Sequence, residues 1–234
     1  MLEDFNSENV KKVAGPWGDF YRSGAGNLYP DENLIRLVRG QYADIPRSGR
    51  VLDVGFGVGG NLLFFAQEGF DAYGLEVSEE SIKAGRSLSE KAAVNLNLGL
   101  FKGTDISYPD SFFDIVVSWN AVYYYGTRSL VREAIHEFYR VLKPGGVLLI
   151  SVMHPNALIS GRLSDDLGDG ARRMNPISSS DARSGMEIFY DRSSSGWRRL
   201  LDCFDEIEEG YAEADLFNPN RRDAWRLFLA RKID

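Results

Sequence analysis

The stretch Val51-Leu52-Asp53-Val54-Gly55-Phe56-Gly57-Val58-Gly59-Gly60-Asn61 limits the possible folds of this chain more than any other. Val51, Leu52 and Val54, bounded by Arg47-Ser48-Gly49 and by glycines, predict a short buried strand. A glycine turn follows, then a helix from Asn61 through Ala66. Gly55, Gly57 and Gly59 permit a sharp turn and remove every Cβ from one side, so a ligand can approach the main chain itself. The helix contributes unpaired N–H groups and a partial positive charge at its start. Together they form a site for a polar or anionic ligand, by the physics of dinucleotide folds.

The glycines alone do not choose the ligand, because Gly55, Gly57 and Gly60 also satisfy the dinucleotide spacing GxGxxG. Asp53, two residues before the first glycine, separates the alternatives. Its carboxylate would repel a pyrophosphate but suits a ligand that carries an ammonium group. The pattern DxGxGxG resembles motif I of the class I S-adenosylmethionine-dependent methyltransferases, whose cofactor is zwitterionic with a cationic sulfonium. The bland alternative is a turn that only packs a helix on a strand.

Later segments extend the resemblance. A second strand is expected over Ala72–Val77, with Glu76 at its end, nineteen residues after Gly57. That is close to the ~20-residue separation at which an acidic group meets ribose hydroxyls in a βαβ site. Glu76 fits a nicotinamide cofactor as well as S-adenosylmethionine, and Val77 goes with it as a cofactor contact. Ser78 is expected to cap the next helix, to about Ala93, and a third short strand is expected near Leu100-Phe101-Lys102. The resemblance implies that Asp105 accepts the adenine amino proton and that the Ile106 N–H meets a ring nitrogen. A turn-forming Asp is the alternative. Phe113–Trp119 is the clearest strand, a β-branched run too short for a helix. Asn120 follows it, and the resemblance implies that its backbone positions the amino-acid end of the cofactor. Ala121 and Val122 stand where amino-group methylases of DNA and some proteins carry two prolines, so adenine or glutamine amide methylation is not assigned. Tyr123, Tyr124 and Tyr125 are expected to wall the substrate pocket, with at least one of them packing elsewhere.

Thr127 through Leu142 has one apolar stripe and predicts an amphipathic helix, within which His136 is structural or solvated. Arg140-Val141-Leu142-Lys143-Pro144-Gly145-Gly146 resembles the family's turn before its fifth strand, here Val147–Met153. The resemblance covers about residues 50–153 and implies a Rossmann-like α/β fold: a seven-stranded, mostly parallel sheet whose last strand is antiparallel, with helices on both faces. His154, after the fifth strand, is the candidate general base, because imidazole moves protons near neutral pH; a hydrogen-bonding structural role is the alternative.

One domain is expected over residues 1–234, with a helical cover over 1–45 and a substrate-side insertion over 155–196. In the cover, Asp31 caps a helix ending at Gly40, and Trp17, Tyr21 and Tyr29 are candidate substrate contacts. The insertion, with Ser178-Ser179-Ser180 and Ser193-Ser194-Ser195, reads as a long loop. A short helix over Trp197–Phe204 and strands around Glu206–Leu216 and Ala224–Lys232 close the chain.

A formal charge of −7 argues against a general nucleic-acid or membrane-surface binder. The pairs Arg172-Arg173, Arg198-Arg199 and Arg221-Arg222 read as solvated surface. The single Cys203 excludes an internal disulfide framework, and two scattered histidines make a structural zinc unexpected. An acidic N-terminus without an apolar core, and the lack of an 18-residue apolar run, lead to an expected cytoplasmic protein. The expected function is methyl transfer from S-adenosylmethionine to a small-molecule or carbohydrate-type acceptor by in-line displacement. A cofactor-binding protein without turnover and a nicotinamide-dependent oxidoreductase are the alternatives; the second leaves Asp53 and Lys143-Pro144-Gly145-Gly146 without a role.

Overall fold

The computed structural model describes residues 14–24, 26, 28–40, 42–101, 103–175, 183–214 and 223–234. Residues 1–13 of the expected cover, Lys102, Ser178-Ser179-Ser180, Leu216 and Arg221-Arg222 lie outside the described residues.

The chain begins with α1 (residues 14–22) and α2 (Glu32–Arg39). Asp31 caps α2 by accepting a hydrogen bond from the Asn33 N–H, a contact that contributes about 1 kcal/mol. Then come β1 (Arg50–Val54), α3 (Gly60–Gln67), β2 (Asp71–Glu76), α4 (Glu79–Ala92) and β3 (Leu96–Leu100). Ser78 caps α4 through the Ser81 N–H. After β4 (Phe113–Trp119) a 3-10 turn over Val122–Tyr125 leads into α5 (Arg128–Val141), which Thr127 caps through Leu130. The chain then forms β5 (Leu142–Met153), β6 (Leu163–Asp166), β7 (Ala171–Met174), β8 (Glu187–Phe189), α6 (Ser194–Leu200), β9 (Glu206–Ala214) and β10 (Asp223–Arg231).

Seven strands form one sheet in the order β3-β2-β1-β4-β5-β10-β9. The first five are parallel, and β10 runs antiparallel between β5 and β9. The central strands are buried on both faces, which explains the unbroken apolar run Ile115-Val116-Val117 in β4. One face packs Val131, Ala134, Ile135 and Phe138 of α5 and Trp197 and Leu200 of α6. The other packs Leu34 and Val38 of α2 with Leu62 and Phe65 of α3. The strand order reverses between β1 and β4. Ligands bind at such a switch point, beyond the carboxyl ends of the strands.

Four expectations need correction. The third strand is Leu96–Leu100, not Leu100–Lys102, pairing Ala72 with Leu96 and Glu76 with Leu100. As a half-exposed edge strand containing Asn97 and Gly99 it lacks a β-branched run, and the Asn97 amide ties it to Asp71 and the Ala72 carbonyl. The fifth strand starts at Leu142, because Gly145 N–H donates to Lys232 and Lys232 N–H donates to Gly146, drawing the expected turn into the ladder. Residues 155–196 are not one long loop: β6, β7 and β8 form a small antiparallel sheet whose inner positions include Met174, Ile188 and Phe189. Its strands are too short and polar to announce themselves. The helix expected at Trp197–Phe204 is Ser194–Leu200, since the Ser193 hydroxyl accepts from the Gly196 N–H and starts it earlier. The closing strands match their expected places within two residues at each described end.

Candidate functional site

A cavity of about 660 Å³ opens beyond the carboxyl ends of β1, β2 and β4, at the switch point. This lies in the size range of small-molecule sites. Val54, Gly55, Phe56 and Gly57 form its floor, Glu76 and Val77 one side, and Trp119, Asn120 and Tyr124 the other. The N-terminal segment closes over it with Trp17, Phe20, Tyr21, Tyr29 and Asp31. Trp17 stacks on Tyr21 (5.7 Å, 19°) and meets Tyr124 edge-on (5.4 Å, 90°), so α1 is held to the loop after β4 by aromatic contact.

The glycine turn is built for close approach. Gly57 has φ +62°, and a Cβ there would stand 3.2 Å from the Tyr21 hydroxyl. A Cβ at Gly60 would stand 2.8 Å from the Tyr29 carbonyl. The third glycine of the dinucleotide spacing therefore lets the N-terminal segment pass over α3. The Asn61 side chain fixes that passage by accepting the Asp31 N–H at 2.8 Å.

Two carboxylates are buried beside this turn. Asp53 is 1% exposed, and neither of its oxygens has a hydrogen-bond partner. Burial, then the charge of Glu76, pushes its carboxyl up to about 7. Glu76 is 6% exposed and lines the cavity, and its Oε2 accepts from the Val77 N–H and, at 3.3 Å, from the Ser78 N–H. Burial pushes Glu76 up to about 7, opposed by the N–H groups of Val77, Ser78 and Gly57. Burial, followed by Glu76 and Tyr124, raises Tyr21, so its hydroxyl stays neutral. Two buried carboxylates, one of them wholly unpartnered, favour a ligand with a cationic end and disfavour a pyrophosphate.

Of the residues expected from the sequence, Gly55, Gly57, Glu76, Val77, Asn120, Trp17, Tyr21, Tyr29 and Tyr124 share the cavity wall. Asp53 lies buried at the end of the strand leading into it. The Asn120 N–H donates to the Ser151 hydroxyl at 2.8 Å, and that hydroxyl donates to the Asn120 Oδ1 at 2.6 Å, so its carbonyl and its side-chain NH2, but not its backbone N–H, are left for a ligand. Besides Asp53, five expected residues are not in the wall. Gly59, with φ +97°, serves as the N-cap of α3 and faces Leu88 and Gly85 of α4. Asp105 is exposed, and the Ile106 N–H donates to Glu137 at 3.1 Å, because Glu137 and Arg140 of α5 hold that loop from outside. Tyr123 is core, 2% exposed. His154 stacks on Tyr211 of β9 (5.5 Å, 26°), and its Nδ1 accepts from the Asn156 N–H. Burial, then Arg226, lowers its pKa. The sequence reading missed Phe20, Trp119 and Leu130, whereas Tyr125, expected with its neighbours to wall the pocket, does line it. Their position after an expected strand or within the cover was the available signal.

A family model described as a methyltransferase domain matches residues 51–146, the span from β1 through the turn into β5. The matched span is a methyltransferase domain, and the chain is similar over most of its length to class I S-adenosylmethionine-dependent methyltransferases. It is 28% identical over 170 residues to YqeM of Bacillus subtilis, named as a methyltransferase, covering 71% of this chain and 68% of that one. It is 30% identical over 217 residues to a sterol 24-C-methyltransferase of Eremothecium gossypii, covering 81% of this chain and 57% of the relative, so it spans little more than half of that protein. Among solved structures, a S-adenosylmethionine-dependent methyltransferase of Methanosarcina mazei superposes with TM-score 0.65 at 20% identity, covering 81% of this chain and 94% of that one. For this methyltransferase the cofactor is S-adenosylmethionine, and the residues present fit it: a side-chain-free turn for the main-chain approach, and carboxylates for its cationic and hydroxyl groups. Among the described residues no cluster of His, Cys, Asp or Glu could hold a metal ion, and no helix is long and apolar enough to cross a membrane.

Proposed function

We propose that the protein transfers a methyl group to a small-molecule or carbohydrate-type acceptor by in-line displacement. The observation that carries this reading is the aromatic wall of Trp17, Tyr21, Tyr29 and Tyr124, which extends the cavity beyond the glycine turn and Glu76. The sterol methyltransferase relative is itself named for a small-molecule acceptor.

The bound cofactor supplies a methyl group on a positively charged sulfur, which is already an activated leaving group. The chain's task is therefore alignment and electrostatic fit. Asp53 and Glu76 provide the negative field, Glu76 accepts from ribose hydroxyls, and the Asn120 carbonyl and the Gly55–Gly57 backbone hold the amino-acid end. Trp17, Tyr21 and Tyr124 bring α1 against the far wall and exclude water from the reacting centre. We read residues 1–234 as one domain, with the N-terminal segment as its cover. The 155–196 insertion acts on the acceptor end indirectly: none of its described residues lines the cavity, and β8 packs against the Val122–Tyr125 turn that carries Tyr124.

Calorimetry with S-adenosylmethionine, S-adenosylhomocysteine and NAD, followed by a product assay across phenols, amines, sterols and sugars, tests this reading. Micromolar binding of the first two and methylated product from a small molecule is the expected result. Cofactor binding with no product from any acceptor would instead favour a binding protein without turnover.

A further inference from the structure

We propose that the methyl acceptor carries a positive charge, seated against the Asp31 carboxylate and the aromatic rings of Trp17, Trp119 and Tyr124. This rests on the methyl-transfer reading of the cavity and concerns where charge sits in the bound acceptor, not which of its atoms is methylated. The wall holds two charged side chains, Asp31 and Glu76, and among the described residues no lysine, arginine or histidine belongs to it. Glu76 ends β2, on the cofactor's side of the switch point. Asp31 lies toward the other flank. Antiparallel β10 begins beside the carboxyl end of β5, and the carboxyl of its first residue, Asp223, is raised by partial burial and then by the Asp31 charge, with Arg183 opposing. Arg183 acts on Asp223 and Tyr123 from outside the wall.

The Asp31 carboxylate is held in place. Its N–H donates to the Asn61 Oδ1 at 2.8 Å, and its Oδ1 accepts from the Asn33 N–H at 2.9 Å. The residue is half-buried, and among the described residues no cation pairs with it. Capping α2 does not account for that charge, because a neutral asparagine caps a helix as well as an aspartate. The rings add to the same field. Trp17 and Tyr124 meet edge-on at 5.4 Å, and Trp119 ends β4 beside them in the wall. Aromatic faces carry negative charge density and attract ammonium groups. A wall whose formal charges are all negative and whose apolar part is aromatic favours a cation and disfavours a carboxylate or phosphate.

Calorimetric titration of the S-adenosylhomocysteine-loaded protein with tyramine, tyrosol and 4-hydroxyphenylacetate tests the assignment. These phenols are nearly equal in size and end in an ammonium, a hydroxyl and a carboxylate. Wild type is expected to bind tyramine about tenfold more tightly than tyrosol, with the carboxylate weakest. Asp31→Asn keeps the helix cap, so the variant folds, and it should narrow the tyramine preference about three- to tenfold. The wild-type ranking needs no variant and is read whether or not Asp31→Asn is stable. Equal affinities, tighter binding of the carboxylate, no tyramine binding at millimolar concentration, or an unchanged ratio in folded Asp31→Asn would each overturn the assignment while leaving the cofactor reading intact. Failure of wild type to bind S-adenosylhomocysteine would overturn both.

Discussion

Asp53 gives the ligand-free protein a stability that falls with pH, and the size of the fall follows from its burial. A carboxyl raised from 3.8 to about 7 is held more firmly as the neutral acid in the folded state than in the unfolded chain. Its contribution is complete below the ordinary carboxylate range and is lost as pH climbs to about 7, beyond which the loss stays constant. Three units correspond to about 4 kcal/mol in all, and the interval from pH 5 to pH 7 carries about 2 kcal/mol of it. Asp53→Asn cannot ionise, and its amide, also unpartnered, adds a cost that does not vary with pH. The stability of the variant relative to wild type should therefore grow by about 2 kcal/mol between pH 5 and pH 7, or roughly 4–8 °C in Tm. Glu76 is present in both proteins, so its own titration largely cancels. Thermal or urea unfolding of both ligand-free proteins at half-unit pH steps reads this directly. A difference that stays flat across the range would show that Asp53 is solvated or paired in the folded protein, and the electrostatic account of the site would fall with it.

Three further expectations follow from the same geometry. Glu76→Ala should weaken S-adenosylmethionine by roughly 10- to 100-fold in calorimetry, the loss expected for hydrogen bonds to a charged group. Gly57→Ala places a side chain at φ +62° and 3.2 Å from the Tyr21 hydroxyl, so both ligand-free Tm and cofactor affinity should drop, the affinity about tenfold. His154→Ala should retain the methyl-transfer rate within about twofold, since the ring rests on Tyr211 and lies outside the cavity wall; a hundredfold loss in a single-turnover assay would restore it as a base.

What was legible in the sequence follows where one residue type answers one local demand. The glycine turn, the caps Asp31 and Ser78, and the β-branched run of β4 could be read because each answers a local demand of the backbone. The seven-stranded, mostly parallel sheet with its antiparallel last strand followed from the resemblance. Misplaced elements are those stabilised from a distance. β3 is held by pairing with β2, and the 163–189 sheet by burial of scattered apolar residues such as Met174 and Phe189 against α5 and α6. The site divides in the same way. Asp53 and Glu76 stand at strand ends, where chain position fixes side-chain position. Asp105 and Ile106 sit in a loop whose direction is set by Glu137 and Arg140, more than thirty residues later. Nothing local reports that pull.

The β9 edge of the large sheet carries one more consequence. Among the described residues β9 pairs only with β10, and it carries Glu206, Glu208, Glu209 and Glu213 along nine residues, Glu206 ion-paired to Arg231 and Glu209 to Arg198 and Arg226. An open strand of that length is a template on which another chain can continue the sheet. Two such edges meeting antiparallel would bring rows of carboxylates face to face, and that repulsion opposes the growth of fibres from the folded protein. The acidic residues of β9 thus protect the chain in a particular place, at the β9 edge of the large sheet.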